Sequence, residues 1–353
     1  MEKGVRMMPS LPIWQFDLPL LVLVVLFAVV ALSIRNLMGA AIVFGAYSFM
    51  MCLIWAGMGA VDVAFTEAAV GAGVSTVFIV STIYNTSATM KRRPGGMAFK
   101  LFIGVVVTVA GGFLLSALPD FPDWGDPNSP VNATVAPYYI THSIPDTHVP
   151  NLVTSVLADY RGFDTLLETV VVFIACIGIY SILRIEPART SIDETDEEIA
   201  APASYDPTDS LIVRQASRFM VPFMQLFALY VIAHGHYSPG GGFQGGVILG
   251  ASLILLAVSF DLKFLLSRWR EKSLMLLVAT GVGLYAAVGL ACLFMGGNFL
   301  DYGTLDAVLP GKQDMARSHG ILLVEIGVGI TVMFSMLAIH INLASNGRLE
   351  RGL

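Results

Sequence analysis

Residues 17–34 read DLPLLVLVVLFAVVALSI, an apolar stretch whose only charged side chain, Asp17, stands at its edge. A helix needs about 20 apolar residues to cross the hydrocarbon core of a bilayer, and there each backbone polar group must be satisfied within the chain itself. Outward from this run, eight more follow, at 37–60, 63–84, 100–118, 163–183, 219–234, 243–260, 274–295 and 318–343. The pattern predicts an all-α, polytopic integral membrane protein with about nine transmembrane helices. Composition agrees, because 56% hydrophobic against 13% charged over 353 residues lies outside the balance of a water-soluble domain. The sixth run is the shortest and carries Pro222, so its ends are the least defined.

Lysine and arginine set the expected orientation, since cytoplasmic loops hold an excess of them. With the N-terminus outside, the inner set is Arg35, Lys91, Arg92, Arg93, Lys100, Arg184, Arg189, Arg214, Arg218, Lys263, Arg268, Arg270, Lys272, Arg348 and Arg351. Lys3, Arg6, Arg161, Lys312 and Arg317 remain outside, and the asymmetry predicts N-out, C-in. The first run could be read as an uncleaved signal-like segment, but it lacks a basic segment directly before it and an Ala-x-Ala site. Cys52, Cys176 and Cys292 sit in apolar runs without CxxC spacing, so neither a disulfide framework nor a metal cage is expected. The net charge of −6 argues against a nucleic-acid partner.

Two connections stand out. Residues 119–162, rich in Pro, Asp and Asn, predict an irregular outer cap or a short surface helix over 151–159; the 132–134 triplet also fits a glycosylation sequon, a pattern common by chance. From Glu186 to Leu211 the acids Glu186, Asp193, Glu194, Asp196, Glu197, Glu198, Asp206 and Asp209 face a single base, Arg189, which reads as a cytoplasmic tether. The expected division is therefore a five-helix domain over 1–184, an acidic linker over 185–213 and a four-helix domain over 214–353.

Ionisable side chains inside membrane helices are costly and default to functional candidates. Glu67 follows this rule: Ala64, Ala68, Gly71 and Ser75 share a narrow face, Glu67 lies at its edge, and small residues admit a neighbouring backbone. A packing carboxyl is the plain alternative. Glu325 lies about two turns into the last helix with His319 toward the outer mouth, and a carboxylate and an imidazole at different depths are what a proton relay requires. Six residues separate the two, so they do not share a face and a relay would need water or another helix. Asp164 and Glu168, at i and i+4, point the same way after Arg161, as a salt bridge at the helix mouth or as a place where ions enter.

The run His234-Gly-His236-Tyr-Ser-Pro239-Gly240-Gly241-Gly242-Phe-Gln-Gly245-Gly246 is neither a P-loop nor a dinucleotide fingerprint. Its glycines either unwind the backbone so that carbonyls line a wet cavity, or make a tight turn that packs the sixth helix on the seventh, aided by Gly246 and Gly250 at GxxxG spacing. His234 and His236 read as hydrogen-bonded interfacial residues rather than metal ligands, with no Cys, Asp or third His nearby. All six lysines lie in loops or at helix ends, so the chain lacks the mid-membrane lysine of a complete pump.

On these residues the chain resembles a known family. The blocks DVAFTEAAVGAG at 62–73 and DYRGFDTLLE at 159–168 are similar to the C-terminal region of the A subunit of Mrp-type (multiple resistance and pH) Na+/H+ antiporters, and to the D and E subunits of membrane-bound hydrogenases. The second half, from RFMVP at 218–222 through the glycine-rich run to GILLVEIG at 320–327, resembles the Mrp B subunit and the hydrogenase F subunit. Antiporter versions often carry glutamine at position 67 and glutamate at 71, so Glu67 and Gly71 bring the third helix closer to the hydrogenase pattern.

The resemblance implies a fused subunit of a complex related to the membrane arm of respiratory complex I. In it the chain would be a transporter component rather than an enzyme, in the plasma (inner) membrane of a prokaryote. Its partners would be the antiporter-like A and D subunits, the small C, E, F and G subunits and the lipid bilayer. H+ and Na+ would be cargo, with no cofactor bound by this chain. Glu67, Glu325, Glu168, Asp164, His319, His234 and His236 would border the ion path, and Pro239, Gly240, Gly241, Gly242, Gly245 and Gly246 would form its glycine-rich turn. The same module in a redox-driven pump, or as a non-transporting adaptor, would be the alternatives.

Overall fold

A computed structural model describes residues 14–86, 88–90, 96–123, 125–183, 210–310 and 313–345. Among them there is no β-strand. The principal helices are α1 (Trp14–Ser33), α2 (Leu37–Gly57), α3 (Val61–Tyr84), α4 (Met97–Ser116), α5 (Ala136–Thr147), α6 (Gly162–Leu183), α7 (Leu211–His234), α8 (Gly242–Phe260), α9 (Glu271–Phe294) and α10 (Gln313–Ala344). All except α5 are long and apolar enough to cross a membrane, so the chain is an all-α polytopic protein with nine such helices among the described residues.

Helix α10 is the central post. Ile321, Val324, Val332 and Leu337 are fully enclosed along it, and α6, α8 and α9 pack around it. Lipid tails are as apolar as leucine, so helices associate in a membrane through close packing of small residues rather than through hydrophobic driving force. Here Gly246 meets Gly329 and Val332, Gly250 meets Met333 and Met336, and Gly281 of α9 lies on the Gly327 backbone. The Gly246 and Gly250 pair therefore faces α10. Gly245 is the glycine that seats α8 on α7, against Ala228 and Ile232.

The first half wraps onto this post. Along α3 the regular helix loosens into a π-helical segment, Glu67–Val74, and small residues join it to α2, with Gly45 against Thr76 and Gly71 against Ser48. At its far end Asn85 Nδ2 donates to the carbonyls of Leu343 (2.7 Å) and Ala344 (3.0 Å), tying α3 to the end of α10. By contrast α4 contains no buried residue.

Three expectations change. Helix α7 begins at Leu211, not 219: Ser210 caps it, Pro222 sits inside without ending it, and the guanidiniums of Arg214 and Arg218 lie 5.3 and 5.4 Å from the Phe260 ring. Residues 211–213 thus belong to this helix rather than to the acidic linker; the remainder of that linker, 185–209, lies outside the described residues. So do Lys3, Arg6, Lys91, Arg92, Arg93, Arg184, Lys312, Arg348 and Arg351 from the charge argument. The outer connection holds the expected short helix, as Leu152–Ser155 and a π turn, Val156–Tyr160, and adds the unexpected α5 before it; Asn151 caps the short helix through Val153 N (3.0 Å) and Thr154 N (3.5 Å).

Candidate functional site

The glycine-rich run forms a turn between α7 and α8 that only glycine can make. Gly240 and Gly241 adopt φ of 152° and 118°, a region that side chains avoid. The turn is clasped from the first half: Asn151 Nδ2 donates to Gly235 O and Ser238 O, both at 3.0 Å, and Thr154 Oγ1 donates to Gly235 O at 2.9 Å. Asn151 N donates to His236 O at 2.8 Å.

Glu325 of α10 fills the inside of this turn. A side chain at Gly241 would place its Cβ 2.9 Å from Glu325 Oε1, and one at Gly235 would come within 3.4 Å of Oε2. At Gly242 a Cβ would run into the Glu325 carbonyl. Glu325 is 8% exposed, and its Oε2 has no hydrogen-bond partner among the described residues. Asp62 of α3 also reaches the turn, accepting from Gly240 N at 3.2 Å, and Gln244 Nε2 donates to Thr66 Oγ1 at 2.9 Å.

These groups open onto one cavity of about 820 Å³, walled by the start of α3, the first half of α6, the glycine turn and α10. Asp62, Asp164, Glu168 and Glu325 all line it, with Thr66 and Gln244 as neutral polar groups. The N-terminus of α8 adds the positive end of a helix dipole beside Glu325. Among the described residues no three His, Cys, Asp or Glu converge as a metal cage. The acids surround a volume rather than a point, so a cation there would keep part of its water. A chamber that gathers four carboxyls can exchange protons or monovalent cations.

Of the residues singled out from sequence, Glu325, Asp164, Glu168, Gly240, Gly241 and Gly242 meet at this cavity, whereas Gly245 and Gly246 pack against α7 and α10. Asp164 also pairs with Arg161 at 2.5 Å. Glu67 does not line it: its carboxyl folds over Gly71 beside Ser48 of α2. His234 stacks on Tyr230, with ring centroids 4.8 Å apart, away from the acids. His236 and His319 adjoin each other above the turn, His236 Nδ1 lying 3.4 Å from Ser318 Oγ. Asp62, Thr66 and Gln244 escaped notice. Asp62 reads in sequence as the ordinary acid of a helix start, and only the fold brings it to position 240.

A second polar cluster lies nearby. Arg317 donates two bonds to Asp159, at 2.9 and 3.0 Å, and one to Asp301 at 2.9 Å, while Tyr160 donates to Asp146 at 2.6 Å. Burial outweighs the attraction of Arg317 and holds the Asp159 carboxyl above the usual carboxylate range. No local spacing announces this clasp, because 158 residues separate Asp159 from Arg317.

Burial, reinforced by His319, pushes the His236 imidazole below its ordinary range. A base with a depressed folded value gives stability that is complete above about pH 6.5 and lost as pH falls through the folded value, because the unfolded chain takes up the proton first. The melting temperature in detergent should therefore drop by a few degrees, roughly, between about pH 7.5 and about pH 5. In His236→Gln part of that acid limb should vanish; an unchanged limb would sink the assignment.

Comparisons with known proteins follow the same halves. A family model described as "Domain related to MnhB subunit of Na+/H+ antiporter" matches residues 212–338, and models for the D and E subunits of MBH match 22–88 and 105–198. The chain is 28% identical over 236 residues to the A/B subunit of a probable K+/H+ antiporter of Rhizobium meliloti, covering 61% of this chain and 22% of that one. It thus spans about a fifth of that relative's length. It is 31% identical over 134 residues to the B subunit of a Na+/H+ antiporter of Bacillus subtilis, covering 36% of this chain and 92% of the relative. Among solved structures, a chain of the Mrp complex from Dietzia sp. DQ12-45-1b aligns with a TM-score of 0.68 at 25% identity, over 96% of this chain and 36% of that one. With the antiporter B subunit matched over nearly its whole length and the Mrp fold matched along nearly all of this polypeptide, the chain belongs to the family of Mrp-type Na+/H+ antiporter subunits.

Proposed function

We propose that this chain is an integral membrane component of a multisubunit Mrp-type monovalent cation/proton antiporter, bordering the ion path and holding neighbouring subunits. The observation that carries this reading is the cavity in which Asp62, Glu168 and Glu325 meet the bare backbone of Gly240–Gly242. An exchanger needs a carboxyl that is reached by water, is relieved of charge by either a proton or a cation, and is held rigidly between occupancies. Glu325, which lines the cavity and is held inside the turn, is the carboxyl placed for this role. Na+ is the leading cation, and K+ enters through the name of the Rhizobium meliloti relative. The chain is read as N-out and C-in in the plasma membrane of a prokaryote, beside antiporter-like A and D subunits and small C, E, F and G subunits. No cofactor is assigned to it.

Purification through a tag on this chain in mild detergent, followed by mass spectrometry and reconstitution into liposomes, tests the proposal. The expected result is co-purifying antiporter-like subunits and proton movement driven by an imposed Na+ or K+ gradient. The family matches to the MBH D and E subunits favour a second reading, the same module in a redox-driven pump. Co-purifying iron–sulfur subunits would establish that reading instead, and recovery of the chain alone would sink both.

A further inference from the structure

Buried polar atoms without a protein partner gather on α10. His319 Nδ1, Glu325 Oε2, Ser335 Oγ and His340 Nε2 are all enclosed and lack a hydrogen-bond partner among the described residues. Such groups in folded proteins are almost always satisfied, and where protein offers nothing the usual partner is an ordered water. At about 1.5 Å per residue the stretch from His319 to His340 rises about 31 Å, close to the roughly 30 Å of a bilayer's hydrocarbon core. Unsatisfied polar atoms thus stand at several depths along one helix.

His340 ends this series and takes no part in the cavity around Glu325. It is 2% exposed, one turn from the end of α10, with Nδ1 3.4 Å from Ser81 Oγ of α3. One ring nitrogen faces a hydroxyl and the other faces no protein donor or acceptor, the arrangement in which an imidazole takes a proton on one side and releases one from the other. Around it α3 contributes Ser81 and Asn85, both neutral. The acids at that end, Asp261 after α8 and Glu271 at the start of α9, are each engaged within the fold. Beside Ser335 stands the Cys176 thiol, a weak partner for its hydroxyl.

We propose that His340 is the second proton-relay residue of this chain, linked to Glu325 by water along α10 and passing protons to and from the side of the membrane where α10 ends. The proposal rests on the antiporter reading. Two measurements on the purified complex test it. Deuterium exchange at the imidazole C2, read by mass spectrometry on the unmodified protein, should proceed at His340 within about tenfold of the exposed His142. Exchange more than about a hundredfold slower would mean a dry imidazole and would overturn the relay. In liposomes His340→Gln, which keeps a polar group beside Ser81 but cannot carry a proton, should lower proton flux about tenfold or more with subunit composition intact. Full flux in His340→Gln alongside blocked flux in Glu325→Gln would remove the relay and leave the antiporter reading standing. Full flux in both would remove the two together. A His340→Gln complex that does not assemble leaves the exchange measurement on the native protein to decide.

Discussion

Replacing Glu325 by glutamine should cut cation-driven proton flux about a hundredfold or more while the complex still assembles. Glutamine has the volume of glutamate and still fits between Gly235 and Gly241, so packing is preserved. It offers neither a site for a proton nor a charge for a cation, so both arms of the exchange fail together. Glu325→Asp should fall between, because it keeps the charge but withdraws the carboxyl from the turn by the length of a methylene. Asp62→Asn removes the second charge facing the same glycine turn and should weaken cation dependence with smaller loss of rate. The measurement is proton uptake in liposomes under a Na+ or K+ gradient, with subunit composition checked for each variant. Undiminished flux in Glu325→Gln would reduce this chain to an adaptor that positions other subunits. Glu67→Gln provides the internal comparison, since its carboxyl lies against α2 and outside the cavity.

The second large effect is structural. Gly242→Ala should prevent α8 from seating on α10, because the added methyl runs into the Glu325 carbonyl, a backbone atom with no rotamer to escape through. Overpacking of a tight contact costs about 1–3 kcal/mol, and the rigid partner puts this case at the upper end. That is a large share of a net stability of about 5–15 kcal/mol. The expected outcome is loss of the monodisperse complex from detergent extracts and a melting temperature lower by several degrees. Gly283→Ala on α9, where no atom lies within 4 Å of the added Cβ, should leave both unchanged. Equal behaviour of the two variants would contradict the close approach of α8 and α10.

The nine spans were legible because a membrane imposes a length on apolar runs, and that signal is strong over any 18-residue stretch. The start of α7 was not, because hydropathy counts Arg214 and Arg218 as charges and cannot know that Phe260 lies beneath them. Helix α5 was hidden by Pro137 and Pro145, which sequence reads as breakers, although the first falls in the opening turn where proline is tolerated. The π segment of α3 has the composition of an ordinary small-residue helix face. At the site, Glu325 and the glycine run stood out locally, the one as a charge in an apolar run and the other as an improbable density of glycine. Asp62 and the Asp159–Arg317–Asp301 clasp are made by tertiary contacts between distant segments, and no single stretch contains them. His340 carries no local signal, being one polar residue near the end of an apolar run. Only its enclosure by α3 marks it out.

The walls of the cavity alternate between segments that precede residue 184 and segments that follow residue 209, so neither half owns the chamber. Continuity of the polypeptide therefore acts as a concentration: joining the two halves in one chain holds each at an effective millimolar level, roughly, of the other. Cut within 185–209 and made as two polypeptides, the protein would turn a unimolecular property into a bimolecular one. Its activity would then depend on how much of each piece a cell produced, and damage to Asp62 in one piece or to Glu325 in the other could be complemented only by an intact copy of that same piece.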